Sequence, residues 1–324
     1  MRAWLEIRQS WIYLLCIIAG LLLGLSQPAT AARFDVAVWP LLAVLLYTTF
    51  TQIPFTQIGH GLKDWRFLGA LLLGNFVVIP LFVGALTTLF VLSPAVQAGV
   101  LLVLLVPCTD WFISFTHQGK GDGARAVAAT PVLLLMQLVL LPMYLWLFLG
   151  SDWLLETLNT RLLGAFLGLI LAPLILAWMT EQLAQRNRIA RQSIELLSYL
   201  PVPLLALVVL VIAASQVKSV ALLGAVWIQL LLIFLVYLVF AAYLGRILGR
   251  VFDLPSSITR TLCFSFGTRN SFVMLPIALT LPPAWQGVAT IVIFQSLIEL
   301  FGMVAYLKWV PERLVPQAIR SGPS

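Results

Sequence analysis

Long apolar stretches separated by short polar clusters run the length of this chain. A helix needs roughly 20 mainly apolar residues to cross a bilayer. On that measure the pattern predicts ten membrane helices, at 11–26, 36–53, 66–92, 95–117, 124–149, 160–180, 195–215, 219–249, 256–281 and 285–309. Turn-forming or charged breaks lie between them, such as Gly119-Lys120-Gly121-Asp122-Gly123 and the stretch from Glu181 to Arg191. The first apolar run, 11–25, precedes Gln27-Pro28-Ala29-Thr30-Ala31-Ala32 and so also has the form of a signal peptide. It is read here as a membrane helix, because removing it breaks the symmetry described next.

Two of the ten segments are interrupted. Span four contains Pro107-Cys108-Thr109-Asp110-Trp111. Proline removes a backbone donor and clashes with the preceding turn, and a mid-membrane aspartate costs at least about 2.5 kcal/mol. Span nine contains Gly267-Thr268-Arg269-Asn270-Ser271-Phe272, a glycine followed by four polar residues. Both stretches are expected to unwind where backbone lines a cavity rather than lipid. Ten spans divide into two sets of five, and an odd set forces the second to enter the membrane inverted. A faint internal match agrees: Thr109 lies 28 residues before Gln137, and Thr268 lies 27 before Gln295. The expected fold is all-α: a polytopic membrane protein whose single transporter domain spans 1–324. Its two inverted five-helix repeats cover about 11–149 and 160–309, with broken crossing helices four and nine.

Composition supports a lipid solvent. The 324 residues are 61% apolar and 10% charged, with mean hydropathy +1.04, whereas soluble domains are about half apolar and a quarter charged. The net charge of +7 does not point to nucleic acid, because the cations sit at helix ends. Fifteen Lys and Arg fall on the N-terminal side of the predicted spans and three on the other, with Arg269 inside span nine. That bias predicts both termini in the cytoplasm and an integral plasma (inner) membrane location. Cys16, Cys108 and Cys263 all lie in apolar segments and form no disulfide framework. His60 and His117 have no acidic ligand cluster beside them, so no metal site is expected. No obligate protein partner is implied. The expected partners are the bilayer and a small-molecule or metalloid substrate, and the only cofactor candidates are a sodium ion or a coupling proton.

The breaks supply the candidate site. Half-helices that meet there leave N–H and C=O groups to be satisfied, and substrate or ions can supply the partners. Asp110 and Arg269 come from opposite repeats at matching depth, so they are expected to pair. Such a pair either pins the two helices together or reopens when substrate or a coupling ion binds. Thr109, Thr268, Asn270 and Ser271 surround them, with a possible sodium near Thr109, Asn270 and Ser271. Asn75 in span three, Gln137 with Thr130 on one face of span five, and Gln295 with Glu299 at i, i+4 in span ten complete the set. Thr48, Thr49, Thr51 and Gln52 cluster in span two. Polar side chains like these serve either as interhelical hydrogen-bond partners or as ligands, and a buried carboxylate such as Glu299 can carry a proton or hold sodium. Cys108 sits beside the first break, and its thiolate suits soft centres such as trivalent arsenic.

The Pro107–Trp111 break, the Gly121-Asp122 turn and the Gly267–Phe272 break together resemble the bile acid/sodium symporter superfamily, and most nearly its arsenical-resistance branch of arsenite efflux permeases. The resemblance covers essentially the whole chain. It implies ten helices with spans four and nine crossing at their unwound centres, and a panel domain moving against a core domain. It also implies that Cys108 handles arsenite. The branch usually carries a glutamate just beyond the second crossover; residues 261–283 here contain no acid, and Arg269 stands in the crossover instead.

The function expected is therefore secondary active transport. Arsenite-type efflux coupled to protons through Asp110 or Glu299 is one form, and sodium-dependent uptake of a small organic anion is the alternative. An intramembrane enzyme needs a nucleophile–base set that is not present in the pattern. A channel favours an uninterrupted polar pore. No Gly-Lys-Ser or Gly-Lys-Thr loop for ATP is present.

Overall fold

A computed structural model describes residues 2–27, 34–53, 64–90, 92–157, 166–215, 226–282 and 287–317, together with Gly164, Gly224 and Trp285. Among these residues the regular structure is helical, and the only β-type pairing is one isolated bridge. His60, Lys63, Arg33, Arg161 and Lys218 lie outside the described residues.

The helices are α1 (Arg2–Ser26), α2 (Asp35–Phe50), α3 (Trp65–Leu89), α4 (Pro94–Leu104), α5 (Trp111–Gln118), α6 (Gly123–Thr157) and α7 (Phe166–Ala184). They continue with α8 (Arg188–Leu197), α9 (Pro201–Ser215), α10 (Val226–Val251), α11 (Ser256–Gly267), α12 (Ser271–Thr280) and α13 (Val288–Leu314). Five stretches, Trp65–Leu89, Gly123–Gly150, Phe166–Ala184, Val226–Val251 and Val288–Leu314, are long and apolar enough to cross a membrane. The pair α8–α9, bent by 44°, makes a sixth if taken as one span. The apolar parts of α1 and α2 are shorter, and the predicted spans four and nine are each split into two short helices. Length alone therefore recovers about half of the ten predicted spans: spans four and nine are broken, and the apolar parts of spans one and two fall short of 18 residues. Large apolar side chains such as Leu25, Val36, Leu89 and Val139 are at least 70% exposed. So much outward apolar surface fits a lipid surround.

The helices sort into two packed groups. In one, α1 lies along α9, α9 along α2, and α2 along α7, which carries α8. In the other, α10 lies along α11, while α13 packs on α4, α10 and α12, and α6 packs on α5. Glycine pairs four residues apart allow the closest approaches. A Cβ on Gly20 or Gly24 of α1 would sit 2.3 Å from the carbonyl oxygens of Leu210 or Ala214 on α9. A Cβ on Gly245 of α10 would sit 2.6 Å from the Cys263 backbone nitrogen on α11, and Gly249 meets Thr259 in the same way. These are small-residue contacts of the kind that hold membrane helices together. Gly245→Leu should therefore force α10 and α11 apart at a cost of about 3 kcal/mol, read as a lower melting temperature of the purified protein in detergent.

Polar contacts gather at one end of the second group. Asp64 caps α3, accepting from the Phe67 N–H at 3.2 Å. Arg125, in the first turn of α6, bridges Asp64 at 2.8 Å and Asp122 at 2.5 Å. Burial pushes the Asp64 pKa up, but the Phe67 N–H, the Arg125 guanidinium and the charge of Arg66 outweigh it and hold the carboxyl below its ordinary range. Arg260 of α11 is buried and donates to the Val315 and Lys120 carbonyls at 2.9 and 3.1 Å, tying the end of α13 to the turn after α5.

Candidate functional site

The two breaks meet. After α4 ends, Val106–Cys108 runs alongside Thr268–Asn270, and Pro107 and Arg269 form an antiparallel bridge. The Cys108 N–H donates to the Thr268 carbonyl at 3.1 Å, and the Asn270 N–H donates to the Val106 carbonyl at 2.8 Å. The sequence expectation left the backbone groups freed by unwinding to be satisfied by ions or substrate. Instead each break satisfies part of the other, which lowers the cost of unwinding inside a bilayer.

Arg269, 1% exposed, is the hub on one side of this bridge. Its Nη2 donates to Asn75 Oδ1 at 2.8 Å, to the Ser265 carbonyl at 2.7 Å and to the Phe266 carbonyl at 3.1 Å. Its Nη1 donates to the Leu104 carbonyl at 3.4 Å. The guanidinium lies 5.7 Å from the Tyr237 ring centroid, within cation–π range. The expected Asp110–Arg269 ion pair is thus not formed: Asp110 is not among the hydrogen-bond or salt-bridge partners of Arg269 in the described residues. The reason is geometric. Leu104 closes α4, while Ser265 and Phe266 lie in the last turn of α11, so the negative ends of two half-helices converge on one point. The guanidinium satisfies them there.

Asn75 reaches Arg269 because α3 contains a π-helical turn, Gly74–Val78. Its Nδ2 donates to the Leu71 carbonyl and to Ser265 Oγ, both at 3.1 Å. On the other side of the bridge, the Arg269 N–H donates to Glu299 Oε2 at 2.9 Å. Gln295 Nε2 donates to the same oxygen at 2.7 Å, and Ser271 Oγ donates to Gln295 Oε1 at 2.7 Å. Glu299 Oε1 and both carboxamide atoms of Gln137 are buried without a hydrogen-bond partner among the described residues. Asn270 Nδ2 donates to Thr109 Oγ1 at 3.5 Å, and its Oδ1 caps α12 by accepting from the Val273 N–H at 3.4 Å. Thr268 Oγ1 and Thr130 Oγ1 turn back onto carbonyls of their own helices, at 2.8 and 2.9 Å.

A cavity of about 60 Å³ opens beside the bridge, in the seam between the two helix groups. Cys108, Asp110, Trp111, Ser114, Asn270 and Phe272 form one wall. Gln9 and Tyr13 of α1, Thr49 and Gln52 at the end of α2, and Ser198 and Tyr199 before α9 face them. Among the described residues lining this cavity, Asp110 is the only charged one. Trp111 stacks on Tyr13 at 6.1 Å and meets the edge of Phe272 at 5.2 Å, closing one flank. Of the span-two cluster, Thr49 and Gln52 reach the cavity, while Thr48 and Thr51 hydrogen-bond to carbonyls of their own helix. The candidate residues thus divide. Cys108, Asp110 and Asn270 line the cavity, with Thr109 bonded to Asn270 behind them. Ser271, Gln295, Glu299, Arg269 and Asn75 form a buried polar chain through the crossing. Thr268 supports the bridge through its backbone, and Gln137 joins none of these contacts.

The sequence reading missed Tyr237, which lies beneath Arg269 and donates to the Phe266 carbonyl at 2.7 Å. A lone tyrosine in an apolar span carries no signal of that role. It also missed Gln9 and Tyr13, whose place at the cavity depends on how α1 packs.

An outward apolar surface wrapped around two broken helices that join at a buried polar crossing defines an integral membrane protein built around an internal site. The chain matches the sodium bile acid symporter family over residues 39–223, more than half its length, and belongs to that family. It is accordingly a membrane transporter of that class. No curated protein sequence matches it.

Proposed function

We propose that this protein is a secondary active transporter that exports arsenite, or a similarly small, uncharged, hydroxylated solute, in exchange for protons. The observation that carries this reading is the cavity lining: a thiol, a carboxylate, hydroxyls and carboxamides, with no basic side chain. A carboxylate in the wall favours an uncharged solute over an anion. Arsenous acid is an uncharged triol at neutral pH. The hydroxyls and carboxamides of Ser114, Asn270 and Gln52 can bond its oxygens, and Cys108 is a soft ligand for the arsenic. Asp110 at the cavity or Glu299 in the crossing carries the exchanged proton.

The architecture proposed with it is ten spans in two inverted repeats, with both termini cytoplasmic in the plasma membrane. The antiparallel meeting of the two breaks supports the inversion. Arg66, Lys120, Arg125 and Arg260, all assigned to the cytoplasmic side, make contacts at one end of the second helix group, which supports the orientation.

The test is growth of a metalloid-sensitive host expressing the wild-type chain on arsenite, beside sodium-driven uptake of organic anions into the same cells. Arsenite tolerance that is lost in Cys108→Ser, with membrane levels unchanged, is the expected result. Unchanged tolerance in that variant would remove the thiol from the mechanism. Family membership favours a second reading, sodium-dependent uptake of a small organic anion, with sodium held near Thr109, Asn270 and Ser271. Sodium-driven anion accumulation without arsenite tolerance would replace the first reading with the second.

A further inference from the structure

Three oxygens surround a single nitrogen of Arg269. Asn75 Oδ1, the Ser265 carbonyl and the Phe266 carbonyl lie 2.7–3.1 Å from Nη2, and the Leu104 carbonyl lies 3.4 Å from Nη1. A carboxamide oxygen together with carbonyls at the C-terminal ends of two half-helices is an oxygen set suited to a hard monovalent cation, placed where both helix dipoles are negative. In this chain the set is already filled by a charge that cannot be lost, since arginine does not deprotonate in proteins. The residues around Nη2 therefore do not fit a sodium ion as well. A second monovalent cation at that point would meet the guanidinium at contact distance in a buried setting, where Coulomb repulsion is strong.

We propose that Arg269 is a tethered cation that stands in place of a coupling sodium ion at the crossing, so that the wild-type protein binds no sodium there. The crossing is held closed by a permanent charge rather than by an ion that comes and goes. This proposal rests on the contacts of Arg269 and on family membership, and it holds whichever substrate the cavity takes.

Removing the guanidinium should expose the oxygen set and create a sodium site. The experiment uses full-length protein in detergent, with melting temperature measured in sodium chloride and in choline chloride at equal ionic strength. Arg269→Ala should melt about 3 °C or more higher in sodium than in choline. The wild type should show a clearly smaller difference, because any sodium held elsewhere, near Thr109, Asn270 and Ser271, adds equally to both proteins. Arg269→Lys, which keeps a cation at the position, should behave like the wild type. If Arg269→Ala gives no folded protein in either salt, Arg269→Gln carries the same comparison, since it removes the charge and keeps most of the bulk. Equal melting temperatures in the two salts for the neutral variant overturn the proposal, and so does a sodium response in the wild type as large as in the variant. Because the readout is stability, failure of the transport reading leaves it intact.

Discussion

Glu299→Ala is expected to destabilise the protein by about 3 kcal/mol, seen as loss of monodisperse protein after extraction. The carboxylate is 1% exposed, and its Oε2 accepts from both the Arg269 N–H and Gln295 Nε2. Alanine strands both donors inside the crossing. It also releases Gln295, whose Oε1 holds Ser271. Glu299→Gln separates structure from proton carriage. The amide oxygen can take the position of Oε2, and its nitrogen falls where Oε1 makes no hydrogen bond among the described residues. Stability should then stay within about 1 kcal/mol of wild type, while proton-driven efflux from vesicles drops at least about tenfold. Full efflux in Glu299→Gln would take Glu299 out of the proton path and leave it as a clasp for α12 and α13.

Asp110→Asn should abolish transport and leave the fold intact. Asp110 begins α5, but its side chain does not cap the helix, and it lines the cavity. The isosteric amide fills the same volume without the charge. If Asp110 carries the proton, efflux in everted vesicles should fall on the order of a hundredfold, with membrane abundance and melting temperature unchanged. Wild-type efflux in this variant would refute the role. A loss of folded protein would instead assign Asp110 to holding the break together.

The positions of both breaks were legible in the sequence. Pro107 and Asp110 in one span, and the polar run after Gly267 in the other, are costly in continuous lipid-facing helices. The i, i+4 spacing of Gln295 and Glu299 is one at which two side chains of a helix meet, and they do. The direction of Arg269 was not legible. Charge alone pointed it at Asp110, the nearest acid by symmetry. Its actual acceptors are mostly backbone carbonyls at helix ends, which no side-chain pattern reports. Asn75 enters only because a π-helical turn rotates it inward. Gln137 and Gln295 matched by spacing, yet Gln295 bridges Ser271 and Glu299 while Gln137 has no partner among the described residues. Spacing fixes where a residue falls along its helix, whereas the contact depends on what faces that position. The glycine pairs at Gly20/Gly24 and Gly245/Gly249 entered no expectation from the sequence. Their partner helices became clear only from the packing of α1 on α9 and α10 on α11.

The antiparallel bridge also constrains how the molecule can work. Two half-helix pairs laced together through Val106, Cys108, Thr268 and Asn270 cannot slide independently without breaking buried hydrogen bonds. The crossing therefore behaves as a rigid axle. The wall that faces it across the cavity is built from α1, α2 and the start of α9 and is not laced into the bridge, so in the proposed transport cycle any tilt falls to that wall. If the proposed solute lodges against Cys108 and Asp110, it would change sides of the membrane as the opposite wall rocks past it, while the residues that grip it stay still.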